Sequence, residues 1–402
     1  MKITRAPLKR ALGYLFTLSG KDGRNDQVHF HSNTVTLYQY DMVASVRLDI
    51  TDLPDGATVA VPLRWLWTLV NAARFDTVDI EVIHVPAGSK QQFSDTDITV
   101  KVDGLTAKYS YSTASKRSSG TDVTPIVSRS VTVPTRKIMP ALRYVRAATS
   151  RAPYDRGHLT DIVIGSDRVY ATDGHRVHIA PSPWPATYST TLCVHAVIVG
   201  VLLRAMQRCA DVTFTYTEKH TTIVAGDLTV VTNTKQPNSG VHSKVAALLE
   251  EKPDNMIVAC RKKLVDGLIM LRKVAGVKAK DMHAVRVETN GEPVAAVVEP
   301  VEQRKVTFCI ERDTAWRSDG PVLMDGLFTY TPDPSLFDRL DGGASTRVNI
   351  NYLLQALTVS GSKVELHLPV SVEYNPIIVN HGDGFMAVVM PMRAYPKVYE
   401  GV

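Results

Sequence analysis

Hydrophobic residues recur at helical spacing in three similar segments of the chain. The segments are Arg5–Ser19, Thr135–Ser150 and Cys260–Gly276. Their apolar positions include Leu8, Leu12 and Leu15 in the first and Leu264, Leu268 and Leu271 in the third. Apolar residues three or four positions apart share one face of a helix, so the pattern predicts three amphipathic helices. Pro140 lies inside the second segment and predicts that this helix begins late or kinks there.

A second helical segment follows in each copy and runs into a strand whose polar and apolar residues alternate. The second helical segments are Val61–Phe75, Val194–Cys209 and Asn349–Gly361. The strands after them are Val78–Val82, Val212–Tyr216 and Val364–Leu368. Alternation places one face of a strand against a core and the other face in water. Each copy of the pattern therefore predicts two helices packed on a sheet.

Short β-rich runs lie between the two helices of each copy, so the repeated unit is helix, strands, helix, strands. Examples are Ile162–Ile164 with Val169–Tyr170, and Val285–Val287 followed by the Asn290–Gly291 turn and a strand from Val294. Such a long unit is unlike the short repeats of solenoid proteins. The pattern predicts an α+β chain built from three domains of one type.

The predicted domains span residues 1–129, 130–252 and 253–402. The length of 402 residues is compatible with three domains of ordinary size. Gly, Pro and Asp cluster between residues 313 and 345. This cluster predicts an inserted loop or hairpin in the third domain.

Bulk composition narrows the class of protein. Hydrophobic residues make up 44% and charged residues 21% of the chain, which is typical of a folded globular protein. No apolar run reaches the ~20 residues that a membrane-spanning helix needs, and the N-terminus lacks the pattern of a signal peptide, which predicts a cytoplasmic protein without a membrane partner. The four cysteines show neither C-x-x-C nor zinc-finger spacing, so we expect reduced thiols and no metal site.

Positive charge is concentrated in the six helical segments. They contain 16 Lys or Arg residues and one acidic residue, Asp266, whereas the rest of the chain has 30 basic and 39 acidic residues. Surface helices usually mix both signs because Glu and Lys pair along a helix, so this segregation suggests a face that meets phosphate. The helices lack interleaved stacking aromatics and a recognition helix, which favours contact with the DNA backbone without base readout.

The DNA-binding candidates are the basic residues of these segments other than Arg5. They are Lys9, Arg10, Arg64, Arg74, Arg136, Lys137, Arg143, Arg146, Arg204, Arg208, Lys262, Lys263, Arg272 and Lys273, with Arg261 beside them. For any single one of them, a solvated surface charge is an equally good interpretation. The pattern as a whole favours DNA.

Two short strings carry further signals. Ala171–Val177 reads ATDGHRV, in which Asp173-Gly174 indicates a turn between strands. Val388–Arg393 reads VVMPMR, and methionines around a proline suit either an adaptable peptide-binding surface or the core side of a final strand. His175 is a candidate general base, but no motif places a nucleophile or carboxylate beside it. We therefore predict no catalytic residue and no cofactor.

The two strings and the threefold repeat together resemble the β sliding clamp of bacterial DNA polymerase III. The repeat covers essentially the whole chain, while identity elsewhere is low, as in a divergent member carried by a bacterial virus or mobile element. The resemblance implies a non-enzymatic processivity factor in which two chains join head to tail into a ring of six domains. Twelve helices would then line a channel around duplex DNA, and sheets would form the rim.

The resemblance also implies partners and a site for them. A DNA polymerase, a clamp loader and other proteins with clamp-binding motifs would insert a short peptide between the second and third domains. The matching positions are Leu159, Thr172, Gly174, His175, Arg176, Val177, Pro237, Val388, Met390, Pro391, Met392 and Arg393.

The chain departs from the family pattern around this pocket. The aromatic neighbours of Pro237 are absent, Val177 replaces a leucine, and residues 394–402 extend past the usual end. These departures predict that partner specificity is private to this protein's own replication system.

Two other interpretations stay open at the level of sequence. One is a DNA-binding replication scaffold of the same fold that does not close into a ring, which would fit the divergent third domain. The other is a DNA-processing enzyme that uses His175. The sequence has no paired-carboxylate, phosphate-loop or metal-ligand motif in its support.

Overall fold

The structure is a computed structural model of the chain. It describes residues 1–20, 26–39, 41–53, 58–72, 76–84, 94–102, 105–113, 129–150, 157–185, 187–250, 255–274, 284–289, 306–310, 327–330, 337–339, 345–359, 361–368 and 376–392.

Seven α-helices lie within these residues. They are α1 (Arg5–Ser19), α2 (Leu63–Ala72), α3 (Thr135–Arg146), α4 (Ala196–Ala205), α5 (Ser239–Glu250), α6 (Arg261–Val274) and α7 (Ile350–Ala356).

Strands account for most of the remaining described residues. In the first half of the chain they are β1 (Lys2–Thr4), β2 (Gln27–His31), β3 (Thr34–Gln39), β4 (Met42–Arg47), β5 (Ile50–Thr51), β6 (Thr58–Pro62), β7 (Thr77–His84), β8 (Ser94–Val102), β9 (Leu105–Thr113), β10 (Arg129–Pro134), β11 (Asp161–Ile164), β12 (Arg168–Thr172), β13 (Arg176–Pro181) and β14 (Leu192–His195). In the second half they are β15 (Asp211–Tyr216), β16 (His220–Ala225), β17 (Leu228–Asn233), β18 (Asn255–Cys260), β19 (Ala284–Thr289), β20 (Val306–Ile310), β21 (Leu327–Tyr330), β22 (Phe337–Arg339), β23 (Ser345–Asn349), β24 (Lys363–Leu368), β25 (Ile377–Asn380) and β26 (Met386–Val389).

The predicted repeat is present as a strand–helix arrangement that occurs three times. Helices α1, α3 and α6 begin at the residue directly after β1, β10 and β18, and α2, α4 and α7 directly follow β6, β14 and β23. The strand before the first helix of each copy pairs antiparallel with the strand after the second, as β1–β7, β10–β15 and β18–β24. The predicted α+β architecture is therefore confirmed.

The six predicted helices are present; α1 has the predicted bounds, and the ends of the other five differ from the prediction by a few residues. Leu8, Leu12 and Leu15 of α1 are buried, as the spacing requires. The predicted late start of α3 was wrong, because the helix begins at Thr135 and runs through Pro140. Pro140 is exposed, so its ring lies on the solvent side of the helix and outside the core.

Helix α5 is an element that the sequence pattern did not predict. The segment after Pro237 has the appearance of a loop, yet the helix begins at Ser239. The side-chain Oδ1 of Asn238 accepts the backbone N–H of Val241 at 3.2 Å, which is the geometry of an N-cap. Val245 is buried and anchors the helix to the core.

The chain divides into two compact units. The first comprises residues 1–139 and 194–235. It contains a five-stranded sheet of order β5-β1-β7-β8-β9 and an eight-stranded sheet of order β10-β15-β16-β17-β4-β3-β2-β6. Helix α1 packs against α2 through stacked rings of Phe16 and Trp67, whose centroids are 5.7 Å apart.

The second unit comprises residues 140–193 and 236–402. Its nine-stranded sheet has the order β14-β11-β12-β13-β26-β25-β24-β18-β22, and its four-stranded sheet has the order β21-β20-β19-β23. Strands of the predicted second domain are thus shared between the two units, and the boundaries after residues 129 and 252 stay a prediction. The strand predicted from Val294 lies outside the described residues, as does most of the predicted insertion, of which β21 and β22 are described.

Candidate partner-binding site and nucleic-acid interface

The two sequence strings lie side by side in the nine-stranded sheet. Strand β13 pairs antiparallel with β26, and Val177 is the register partner of Val388. Beyond the strand, the backbone N–H of Met390 donates to the carbonyl of His175 at 2.9 Å. Residues about 200 positions apart in sequence therefore form one continuous piece of surface and core.

The predicted turn at Asp173-Gly174 connects β12 to β13 and is closed by its own side chains. Gly174 has a φ of 87°, a conformation that favours glycine. The Thr172 hydroxyl donates to the carbonyl of Arg176 at 2.7 Å and accepts the N–H of Gly174 at 3.0 Å. Asp173 Oδ1 accepts the N–H groups of His175 at 3.0 Å and Arg176 at 3.2 Å. These bonds fix the conformation of the segment that carries the first string.

Arg176 is directed into the protein, with 5% of its surface exposed. Its Nε donates to Asp173 Oδ2 at 3.0 Å, its Nη1 donates to Gln355 Oε1, and its Nη2 donates to the carbonyl of Ala147 at 2.5 Å. The guanidinium carbon also lies 4.1 Å from the centre of the Tyr352 ring. A guanidinium has five N–H donors in a planar fork, and here they reach three separate segments of the second unit.

A cluster of buried and half-buried aromatic and histidine side chains lies next to Arg176. His178 is fully buried, its ring stacks on Tyr144 at 4.6 Å, and its Nδ1 lies 3.0 Å from the Tyr144 carbonyl. Burial, with a smaller effect of the Arg176 charge, lowers the pKa of His178 to about 3. His381 Nε2 lies 2.7 Å from the carbonyl of Ala356, and burial lowers the pKa of His381 as well. Both rings are therefore neutral at neutral pH.

An open depression of about 340 Å³, counting the space at its mouth, lies beside Ala171 and Thr172 at the start of the first string. Its lining residues are His158, Asp161, Val163, Tyr170, Ala171, Thr172, Cys193, Gln236, Pro237, Asn238 and Val241. Thr172 and Pro237 are the two among them that were predicted as partner-binding positions. Leu159 lies near the turn, because its Cδ1 would be 4.0 Å from a Cβ atom placed on Gly174.

The structure divides the predicted pocket residues into buried and accessible ones. Val177 and Val388 are buried in one apolar cluster, and Met390 and Val241 pack against that cluster. The other accessible positions are Leu159, Gly174, His175, Pro237, Pro391 and Met392, which are half-buried or exposed. Arg393 lies outside the described residues. Val241 was missed because it belongs to α5, the helix that the pattern did not predict.

Most of the basic candidates on the helices are exposed. The exposed ones are Arg136, Lys137, Arg143, Arg146, Arg204, Arg208, Lys262, Lys263 and Lys273. Lys9, Arg10, Arg64 and Arg272 are half-buried, and Arg74 lies outside the described residues.

Helix α3 has the clearest segregation of charge. Its four basic residues, which include Arg143 and Arg146, are all exposed, and its first turn has no acidic residue. The opposite face is buried through Ile138, Leu142 and Val145. One face of this helix therefore presents only positive charge to solvent, which is the pattern of a phosphate-contacting surface.

Other basic candidates already make contacts within the chain. Arg10 forms an ion pair with Asp227 at 3.0 Å, and Arg272 donates to Asn351 Oδ1 at 3.1 Å. Arg204 donates to the Thr17 hydroxyl at 2.6 Å. These contacts orient the side chains on their helices and leave part of each surface open to solvent.

Arg261 has a structural role. Its Nε donates to the carbonyl of Gly361 at 2.7 Å and its Nη1 to the carbonyl of Leu357 at 3.1 Å. The side chain thereby ties the start of α6 to the segment after α7, and its donors are directed at backbone.

No helix among the described residues is long and apolar enough to cross a membrane. Neither models of known protein families nor curated protein sequences match the chain.

Solved structures with the same fold do match, over nearly the whole chain. The DNA polymerase III subunit beta from Pseudomonas aeruginosa is 17% identical, covers 98% of this chain and 100% of its own, and has a TM-score of 0.67. A putative DNA polymerase III beta subunit from Eubacterium rectale is 14% identical over 97% of this chain and 98% of its own, with a TM-score of 0.70. The DNA polymerase sliding clamp from Bacillus subtilis is 13% identical over 98% and 99%, with a TM-score of 0.70. The chain therefore has the fold of the bacterial DNA polymerase III beta subunits, the sliding clamps.

Proposed function

We propose that the chain is a DNA sliding clamp, which encircles duplex DNA and tethers a DNA polymerase to its template. The agreement in fold with solved sliding clamps over nearly the full length of both chains carries the proposal. A chain that shared one domain with these proteins would match over a fraction of their length. A clamp acts by topology and contact, so this function uses no catalytic residue, metal or cofactor, and it belongs in the cytoplasm with the replication machinery.

The ring is proposed to form from two chains joined head to tail, with three domains each at 1–129, 130–252 and 253–402. Among the described strands, β9 ends the five-stranded sheet and β21 ends the four-stranded sheet. An edge strand presents unpaired backbone N–H and C=O groups to another chain. Pairing of β9 of one copy with β21 of the next, repeated once, would close a ring of six domains.

The basic helices are proposed to face the DNA inside the ring. The exposed residues of α3 and the exposed lysines of α6 support this assignment, since they offer charge without base-reading geometry. Contact with phosphates alone is independent of sequence and lets a protein slide along the duplex.

Partner proteins are proposed to dock at the junction of the two sequence strings. A polymerase, a clamp loader and other proteins with clamp-binding motifs would insert a peptide against Met390, Pro391 and Met392. The depression beside Pro237 and Val241 would extend that surface. Methionine side chains adapt to varied apolar partners, which suits a site shared by several proteins.

The test combines imaging with a replication assay. Negative-stain electron microscopy of the purified chain is expected to show rings with a central hole and a near-sixfold outline. The clamp, with its cognate loader, is also expected to lengthen the products that its polymerase makes on a primed circular template. Particles without a hole, at a solution mass of one chain of 44.2 kDa, would overturn the ring and favour a DNA-binding scaffold of the same fold.

A further inference from the structure

One buried side chain connects the two halves of the proposed docking site to two helices. Arg176 belongs to the string that resembles a partner-contacting motif, yet it is almost completely buried. Its three nitrogen atoms donate to Asp173, Gln355 and Ala147. A group enclosed in this way has no face left for a peptide.

We infer that Arg176 is a positioning residue, which holds the 172–176 turn in the shape that the partner peptide meets. The inference rests on the proposed function for the identity of the partner. The contacts of Arg176, called the brace below, all lie within the second unit. The brace extends from the turn at Asp173 to Ala147, just past the end of α3, and to Gln355 and Tyr352 of α7.

The position of the turn sets the position of the second string as well. The carbonyl of His175 accepts the N–H of Met390 at 2.9 Å, and Arg176 is the register partner of Val389 in β26. A shift of the turn would therefore move Met390, the first of the two methionines on the proposed docking surface. One guanidinium thus fixes both strings relative to each other and to the helices beneath them.

The chemistry of the brace requires arginine in particular. The ion pair of Arg176 with Asp173 is buried, with 6% and 9% of the two side chains exposed. A buried ion pair is stable only when further hydrogen bonds satisfy its remaining donors and acceptors. Lysine keeps the charge but lacks the planar fork that reaches Gln355 and Ala147 together and stacks on Tyr352. Arg176→Lys is therefore the variant that separates charge from geometry.

Amide hydrogen exchange of the purified full chain tests the inference without any partner. In Arg176→Lys, the amides of Gly174, His175 and Met390 are expected to exchange about tenfold or more faster, the factor expected for losing a hydrogen bond to a charged group. Core amides of β12 should keep their protection. Arg168→Lys is the matched control, since Arg168 lies on the same hairpin and pairs locally with the exposed Asp167.

A second variant keeps the test decisive if Arg176→Lys does not fold. Gln355→Met retains the volume of the side chain and removes the acceptor of Nη1. It should therefore speed hydrogen exchange of the same three amides, by a smaller factor than Arg176→Lys. Unchanged exchange rates of the turn amides in a folded variant would overturn the positioning role, and so would faster exchange spread evenly over the whole unit. The second of these outcomes would show a general stabilising role.

Polymerase stimulation then connects the brace to function. Arg176→Lys is expected to lower the stimulation severalfold while rings still form and the core stays protected. Loss of stimulation with an undisturbed turn would mean that Arg176 contacts the partner directly, against the inference. Loosened turn amides in a chain whose wild type never stimulates a polymerase would refute the proposed function and leave the brace in place.

Discussion

Replacement of His178 by asparagine should remove a large part of the acid sensitivity of the second unit. His178 is fully buried, and its Nδ1 lies 3.0 Å from the carbonyl of Tyr144. A carbonyl only accepts, so Nδ1 carries the hydrogen, and Nε2 has no hydrogen-bond partner among the described residues. Protonation would place a second N–H donor in an apolar site beside the positive charge of Arg176.

The magnitude follows from the difference in pKa between the folded and unfolded chain. The pKa of His178 is about 3 in the folded protein, against an ordinary value of 6.5. Between these values the unfolded state binds a proton that the folded state does not. The contribution of neutral His178 to stability is therefore fully present above about pH 6.5 and is lost as the pH falls toward 3. For a single such site, lowering the pH from 7 to 5 costs about 2 kcal/mol of unfolding free energy.

Asparagine is suited to the test because its side-chain amide can still donate to the Tyr144 carbonyl but does not titrate. Urea denaturation at pH 7 and pH 5 gives the two free energies, and it is followed by tryptophan fluorescence, to which the buried Trp184 of the same unit contributes. The variant will be less stable at pH 7, since it leaves a small cavity. The free energy of unfolding that the variant loses between pH 7 and pH 5 should be about 2 kcal/mol smaller than the loss in the wild type.

The half-buried His381 is present in both proteins, so its own titration cancels in the comparison. Equal losses in wild type and His178→Asn would refute the reasoning. That result would mean that the folded state admits a protonated His178, or that the ring is solvated.

Two further predictions address the proposed surfaces. Arg143→Glu with Arg146→Glu should weaken DNA association and make its salt dependence shallower. The negative slope of log affinity against log salt should shrink in magnitude by about two, since each lost phosphate contact removes about one unit. Lys244→Glu, at an exposed position of α5, is the charge control, and an unchanged slope in the double variant would remove α3 from the DNA interface. Met390→Ala with Met392→Ala should abolish polymerase stimulation while rings still form in electron micrographs. Full stimulation by this variant would disprove the docking site.

The spacing of apolar residues in the sequence was sufficient to predict the repeated architecture. The apolar faces of α1 and α6 follow from leucines at helical spacing, and these leucines are buried in the structure. Helix α5 was not recognisable in the same way, because it depends on an asparagine cap and on a few apolar contacts. A cap such as Asn238 is also typical of turns, so the local signal alone does not distinguish the two.

The roles of individual site residues were harder to predict. The resemblance placed Arg176 in the docking site, but its burial depends on partners that are distant in sequence. Its acceptors Ala147 and Gln355 lie 29 and 179 positions away. No pattern of neighbouring residues encodes such contacts, because they arise only when α3, α7 and the β12–β13 turn pack together.

The pairing of β13 with β26 imposes an order of events on the newly made chain. Val177 and Ile179 become buried beside a strand that is synthesised about 200 residues later, which takes roughly 10 to 40 seconds at typical translation rates. Throughout that time β13 is an open, apolar sheet edge on the ribosome, the kind of edge that pairs with other chains. Production of this protein therefore depends on how well the cell shields one strand until its last partner emerges, and a chaperone that binds nascent chains should raise its yield more than that of a protein whose strands pair with near neighbours.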